Sequence, residues 1–313
     1  MIDQFALTDT FWPTPRLAPI AARDWMKRRI AAGTPTSLIR LGDGELSWLG
    51  YGSAAPWEHT ATSLNVWFGR DDFEPAQLEE TANRLRLAVS RATIIGLPRP
   101  SRQMRDPRCG YVRSLFELHD LTSPGQLFTD CGVHRYWQLL LAYRDLLTGL
   151  PFLGLISSRD IGIQIRTAFG IKELVTYPVP SERGMLGAFE SLGPHYPERF
   201  EQLCDELIIP FRGAVFLIGA GGLGKIYADI VCQRGGIALD VGSILDGWAA
   251  KASREFLWQD PDSFGLDCYR ETINLRPDEV LSRYRDLLKN SLFVQVPNAE
   301  ELAFYEEMPL IEK

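Results

Sequence analysis

The chain is predicted to be an α/β protein with a mostly parallel sheet and helices on both of its faces. Three observations predict this. Short unbroken apolar runs, such as Phe152 to Ser157 and Ala214 to Ile218, alternate with longer segments of helical period. A strand covered on both faces reads as continuous apolar sequence, which is the mark of a parallel sheet. The residues with chemistry fall just after these runs, along the edge where open parallel sheets bind ligands.

The elements follow in order. Ala21 to Ala32 reads as a helix stopped by Gly33-Thr34-Pro35, and Ser37 to Leu41 is the first strand. Pro75 to Arg91 carries Leu78, Ala82, Leu85 and Val89 on one helical face. Thr93 to Leu97 is a second strand, closed by Pro98 and Pro100. Val133 to Leu147 reads as one helix rich in Leu and aromatics, and Pro151 leads into the strand Phe152 to Ser157. Next come a helix from Asp160 to Phe169, the strand Leu174 to Val179 and a long helix from Met185 to Leu207. The strand Ala214 to Ile218, the helix Leu223 to Arg234 and the strand Ile237 to Val241 complete the alternation. Right-handed crossovers place the loops after these strands on one edge. Pro277 to Lys289 is a further helix, with acids in its first turn and Lys at its end. The expected organisation is a helical lead-in (1–36), a sheet domain (37–250) and a partly helical extension (251–313) packed on the same domain.

Composition narrows the function classes. With 313 residues, 45% hydrophobic and 23% charged, the chain can bury a sizeable core. A net charge of −7 supplies no general basic field, which argues against nucleic acid as the main partner. Five scattered cysteines without CxxC spacing fit reduced thiols in a cytoplasmic protein, and the four histidines are equally dispersed. Met1 to Pro19 lacks the apolar core of a signal peptide. The longest apolar region, Tyr136 to Ile156, is broken by Arg144, Asp145 and Gly149-Leu150-Pro151, so no transmembrane segment is expected.

Two motifs carry most of the chemistry. Asp43-Gly44-Glu45 follows the first strand, with Arg40 and Gly42 just before it. Two acids one glycine apart form the partial shell that Mn²⁺ or Mg²⁺ takes when substrate phosphates complete it; the plain alternative is a turn. Gly219 to Lys225, GAGGLGK, follows a strand and opens a helix. Gly219, Gly221 and Gly224 satisfy a dinucleotide pattern, with Asp240 about twenty residues on. A P-loop is improbable because Ile226 stands where Ser or Thr must hold Mg²⁺. Other readings are backbone amides approaching a phosphate or sugar, and tight strand–helix packing.

Further loops belong to the same edge. Ser157, Ser158 and Arg159 offer hydroxyls, amides and a guanidinium to an anion, or a helix cap. Ser181 and Glu182 follow another strand, with Glu182 a candidate general base or half of an internal ion pair. His134 is expected to be a capping or surface residue. The aromatics Trp48, Tyr51, Trp57 and Trp67 suit either stacking on a sugar or base, or core packing.

LIRLGDGE at 38–45, WFG at 67–69, IIGLP at 94–98 and the segment 216–248, with GAGGLGK and ALDVGS, together resemble the GT-D fold glycosyltransferases, a family first described as a conserved domain of unknown function. The resemblance runs from about Ser37 to Trp248. It implies a Rossmann-like sheet of GT-D type, a nucleoside-diphosphate sugar donor (a UDP-sugar favoured) and a divalent ion on a DxE motif, here Asp43 and Glu45. The family's glycine-rich segment falls on Gly219 to Gly222, and its Asp-x-Gly on Asp240 and Gly242. Many members carry proline where this chain has Gly221-Gly222.

The expected function is therefore glycosyl transfer to an acceptor hydroxyl on a glycan or glycoconjugate. Asp43 and Glu45 would hold Mn²⁺ or Mg²⁺. Arg40 with Arg159 or Lys225 would add positive charge, Gly42, Ser157, Ser158, Ser181, Gly219, Gly221, Gly222 and Ser243 would contact substrate, and, if the reaction inverts, Glu182 or Asp240 would act as base. The acid pair is expected near the surface. The rivals are an NAD(P)-dependent oxidoreductase built on GAGGLG and Asp240, and a non-catalytic nucleotide-sugar-binding partner of a glycosylation assembly.

Overall fold

A computed structural model describes residues 11–53, 57–70, 72–106, 108–185 and 187–290; the side chains of residues 43, 57–59, 62, 289 and 290 lie outside the description. Seven strands form one sheet: β1 (Thr36–Arg40), β2 (Ile94–Leu97), β3 (Leu127–Asp130), β4 (Phe152–Ser157), β5 (Glu173–Pro178), β6 (Val215–Gly219) and β7 (Ile237–Asp240). Their order is β3-β2-β1-β7-β6-β4-β5, and every pairing is parallel. The expected α/β class and the parallel sheet are what the structure has.

Side-chain alternation along the strands feeds a core on each face. Leu38, Leu153, Leu155, Leu217 and Leu239 point into one cluster, with residues of the helices Pro19–Ala31, Val133–Leu139, Ala142–Leu147 and Ile244–Trp248. Ile39, Ile95, Ile156, Phe216 and Ile218 point into the other, with the helices Asp43–Leu49, Pro75–Arg91 and Leu223–Gln233. Neighbours such as Leu38 and Ile39 go to opposite faces because a strand has a period of two. Both are apolar because both faces are covered.

The segment after Trp248 joins the first cluster through Phe256, Phe264, Tyr269 and Tyr284. Gln138, wholly buried, fastens it. Its Oε1 accepts from Trp248 Nε1 at 3.0 Å and Tyr269 Oη at 2.9 Å, and its Nε2 donates to the Ser263 carbonyl at 3.1 Å. A buried amide with this many partners is satisfied rather than a cost. Residues 291–313, the rest of the predicted extension, lie outside the described residues, as do residues 1–10 of the lead-in.

Several segments differ from expectation, among them the helices Trp57–Phe68, Pro100–Arg105 and Val112–Leu118, which the sequence reading leaves out. The Asp-Gly-Glu motif opens an unexpected helix, Asp43–Leu49, so its plain alternative, a turn, does not hold. β3, Leu-Phe-Thr-Asp, is not among the expected strands. The helix from Val133 to Leu147 is two helices, broken at Leu141 with φ 53°. No Gly or Pro marks that break, so the sequence hides it. The long helix from Met185 to Leu207 is reduced to Phe200–Glu206 after a kinked turn at His195–Arg199. Gly193 at φ 71° and the prolines at 194 and 197 are incompatible with a continuous helix.

Gly154 in β4 has no room for a side chain, since a Cβ there would overlap the Phe216 ring. Gly154→Ala should therefore cost at least about 1–3 kcal/mol by overpacking, read as a lower urea midpoint. Adding Phe216→Leu should recover part of the loss; no difference between the single and double variants would refute the packing account.

Candidate functional site

The C-terminal ends of all seven strands open onto one cleft of about 1110 Å³. Its floor is set where β1, β7 and β6 run side by side. Lys225, in the first turn of the helix after β6, is 3% exposed. Its Nζ lies 2.7 Å from Glu45 Oε1 and 3.2 Å from Asp240 Oδ2, and it donates to the Gly221 carbonyl at 3.0 Å. Asp240 Oδ1 faces Arg40 Nη2 at 3.0 Å, while Oδ2 accepts from the Arg40 amide at 3.1 Å. Arg40 Nε donates to the Asp240 carbonyl at 2.9 Å. Two cations and two carboxylates thus form one closed group.

The local sequence explains how they meet. Gly42 caps the helix Asp43–Leu49, and Glu45, three residues on, turns back so that Oε2 accepts from the Gly42 amide at 3.0 Å. That leaves Oε1 for Lys225. Gly242, at φ 48°, lets the Arg40 guanidinium pass; a Cβ there would overlap Nη2. Trp67 lies between the two glycine turns. A Cβ on Gly44 would stand 2.6 Å from its Cη2, one on Gly221 2.8 Å from its Cδ1, and one on Gly222 would overlap its ring. The glycines of GAGGLGK therefore admit an indole. Trp67 packs against the buried Trp48 at 6.1 Å between ring centroids.

Charge states follow from this geometry. Burial pushes the Asp240 carboxyl up, but Arg40 and Lys225 outweigh it and hold the pKa below the usual carboxylate value. Burial opposes the Lys225 charge, and Asp240 and Glu45 overcome that, raising its pKa. Arg40 Nη1 sits 3.0 Å from His134 Nδ1 and 3.1 Å from Nε2. Burial, then Arg40, hold the His134 pKa well below the ordinary imidazole value. His134 is therefore a neutral, 3% exposed partner of Arg40, not the surface or capping residue expected.

The other predicted residues divide in two. Arg40, Gly42, Glu45, Ser158, Arg159, Glu182, Gly219, Gly221, Lys225 and Ser243 line the cleft. Ser157, Ser181, Gly222 and Asp240 do not. Ser157 Oγ accepts from the Arg159 amide at 3.0 Å, a turn-holding role, and Ser181 is 8% exposed. Arg159 Nε faces Asp246 Oδ1 at 2.7 Å, and Glu182 holds Arg254 Nη2 with both oxygens, at 3.0 and 2.8 Å. Asp240 is 2% exposed, stands outside the cleft lining and is committed to Arg40 and Lys225, so no substrate reaches it as a base or, in the dinucleotide reading, as a ribose ligand.

Glu45 is likewise buried, not near the surface as expected. A divalent cation on its Oε1 would stand against the Lys225 ammonium, so the described residues do not fit Mn²⁺ or Mg²⁺ as the motif suggests. The Asp43 side chain lies outside the described residues. Among the described residues no cluster of three His, Cys, Asp or Glu is arranged for a metal.

Sequence reasoning passed over Arg99, Arg102, Arg105 and Arg135, which also line the cleft. Pro98 to Arg105, PRPSRQMR, stands just past β2, so the strand-end rule applied elsewhere would have found three of them. Arg254 carries no such signal.

No family model matches the chain, and no curated protein matches it. Two solved structures are similar: one described as "The highly conserved domain of unknown function 1792 has a distinct glycosyltransferase fold", the other its selenomethionine-substituted form. Each is 14% identical, with 72% of this chain and 77% of that chain covered and a TM-score of 0.48. The description is that of the family whose motifs the sequence resembles.

Lys225→Met would leave Glu45 without its cation in a buried site, and the expected loss is about 3–5 kcal/mol in urea unfolding. Adding Glu45→Gln should restore part of it, because Asp240 keeps Arg40; a double variant no more stable than Lys225→Met would refute the coupling. Acid should also destabilise the fold. His195, pushed down to about 3 by burial and then Arg199, and His134 stay neutral when folded but bind protons when unfolded. Their stabilisation is present above about pH 6.5 and is lost as pH falls, by up to about 2 kcal/mol each at pH 5. His195→Gln should remove about half of the fall between pH 7 and pH 5; an unchanged fall would count against it.

Proposed function

We propose that this chain is a glycosyltransferase using a nucleoside-diphosphate sugar, with a UDP-sugar favoured, and a glycan or glycoconjugate hydroxyl as acceptor. One observation carries the reading. Glu45 of LIRLGDGE, Lys225 of GAGGLGK and Asp240 of ALDVGS, all in segments that resemble the GT-D family, meet at Lys225 Nζ within 3.2 Å beneath the cleft. They are parts of one site. The competing oxidoreductase reading needs Asp240 free for a ribose and Gly221-Gly222 open to a pyrophosphate; Arg40, Lys225 and Trp67 occupy both.

In a single displacement the bond from the sugar's anomeric carbon to the phosphate breaks as the bond to the acceptor oxygen forms. Negative charge builds on the leaving diphosphate, and cationic groups already in place stabilise it without reorganising. The acceptor proton goes to a carboxylate. Of the two predicted bases, Glu182 is the one that lines the cleft, with Arg254 holding its carboxylate in position. Glu45 Oε1 is already occupied by the Lys225 ammonium.

The test is a panel of UDP-, GDP-, CDP- and dTDP-sugars with glycan acceptors, reading nucleoside diphosphate release and product mass. One donor should turn over, and its diphosphate should raise the melting temperature. Glu182→Gln should lower kcat at least about 100-fold with the donor KM little changed. Stabilisation by NAD⁺ or NADP⁺ alone, with no donor consumed, would sink the proposal.

A further inference from the structure

The Asp-Gly-Glu motif suggests a divalent cation, and the fold sets an ammonium where that cation would stand. Lys225 Nζ is surrounded by Glu45 Oε1 at 2.7 Å, Asp240 Oδ2 at 3.2 Å and the Gly221 carbonyl at 3.0 Å. Two carboxylates and a carbonyl are hard oxygen donors, the kind that Mg²⁺ and Mn²⁺ take. Glu45, Gly221 and Lys225 line the cleft, so the group adjoins the space a substrate would enter.

Two arguments set the ammonium against a metal ion. The first is charge. Glu45 and Asp240 are balanced by Lys225 and by Arg40, whose Nη2 lies 3.0 Å from Asp240 Oδ1. A divalent ion added to that neutral group would bring two uncompensated charges into a site where Lys225 is 3% and Asp240 2% exposed. Unpaired buried charge is strongly destabilising. The second argument is room. An ammonium has three N–H bonds, and three oxygens surround this one. Glu45 cannot swing aside to admit a further ligand without releasing the Gly42 amide, which its Oε2 accepts at 3.0 Å to cap the helix.

We propose that the Lys225 ammonium is a resident cation standing in place of the divalent ion, and that this chain binds no Mn²⁺ or Mg²⁺ between Glu45 and Asp240. That the site serves sugar transfer rests on the glycosyltransferase reading; the replacement of the metal does not. The lysine of GAGGLGK then has a definite task. It neutralises two carboxylates that would otherwise call for a metal. Taking the ammonium away leaves a net negative set of oxygens beside the cleft, so Lys225→Ala should turn the position into a cation site.

The experiment is titration of the full chain with Mn²⁺, following the electron paramagnetic resonance signal of the free ion. The wild-type chain should leave that signal unchanged. Lys225→Ala should take up Mn²⁺ at least about tenfold more tightly than the wild type. The ion should also raise the melting temperature of that variant and not of the wild type. Adding Glu45→Gln should abolish the uptake, and Lys225→Arg, which keeps the charge, should take up none. Wild-type uptake that Glu45→Gln removes overturns the proposal, and so does a folded Lys225→Ala with no gain in affinity. The wild-type titration decides the matter even if Lys225→Ala fails to fold. Sugar transfer should be equal in EDTA and in Mn²⁺; transfer lost in EDTA and restored by Mn²⁺ overturns the proposal and leaves the transferase reading standing. No metal uptake with no transfer from any nucleotide sugar upholds the resident ammonium and sinks the transferase reading, so the two fail separately.

Discussion

The ammonium of Lys225, held between Glu45 and Asp240, is the constraint on which the rest of the site depends. Its three residues come from the ends of β1, β6 and β7, which the sheet order places side by side. Arg40 and Asp240, 200 residues apart in sequence, complete it. Buried charges on this scale are tolerated only when paired and hydrogen-bonded, and each member here has several partners. The quartet is sensitive to register for the same reason. A one-residue slip of β1 against β7 would turn Arg40 to the other face and strand Asp240 in the core.

That closure has a chemical consequence. A quartet that is neutral as a whole adds little net attraction for a diphosphate, whatever its individual charges. Lys225 and Arg40 read from the sequence as phosphate ligands, and in the fold they first of all neutralise two carboxylates. Further arginines line the cleft one strand over, past β2 and β3. The floor therefore fixes shape, and its committed carboxylates exclude alternatives such as a ribose on Asp240.

The legible part of the fold was the part governed by periodicity. β4 and the helix Pro75–Arg91 lie where the apolar pattern places them, because burial on both sheet faces and on one helix face writes itself directly into residue type. The break at Leu141 was not legible, since a buried leucine held in a left-handed conformation is imposed by packing and leaves no turn residue behind. At the site, the strand-end rule located Glu45, Lys225 and Asp240 but gave no view of their mutual contacts. GAGGLGK illustrates the limit. Gly221 and Gly222 mark a close approach, as a dinucleotide fingerprint would, but the approaching group is Trp67, a partner no local motif can name.

The indole also explains why the two motifs need each other. Trp67 fills the slot between Gly44 and the Gly221-Gly222 turn, so a side chain on either turn would push it toward the other. Its position fixes the start of the helix carrying Glu45 relative to the start of the helix carrying Lys225. Both helix starts are short-range devices, a cap and a glycine turn, with no intrinsic reason to be adjacent. The ion pair supplies an attraction between them, and the indole sets how close that attraction brings them. Attraction and steric stop together turn two separate strand ends into one rigid floor, and a rigid floor is what allows groups at the rim to meet a substrate in a fixed geometry.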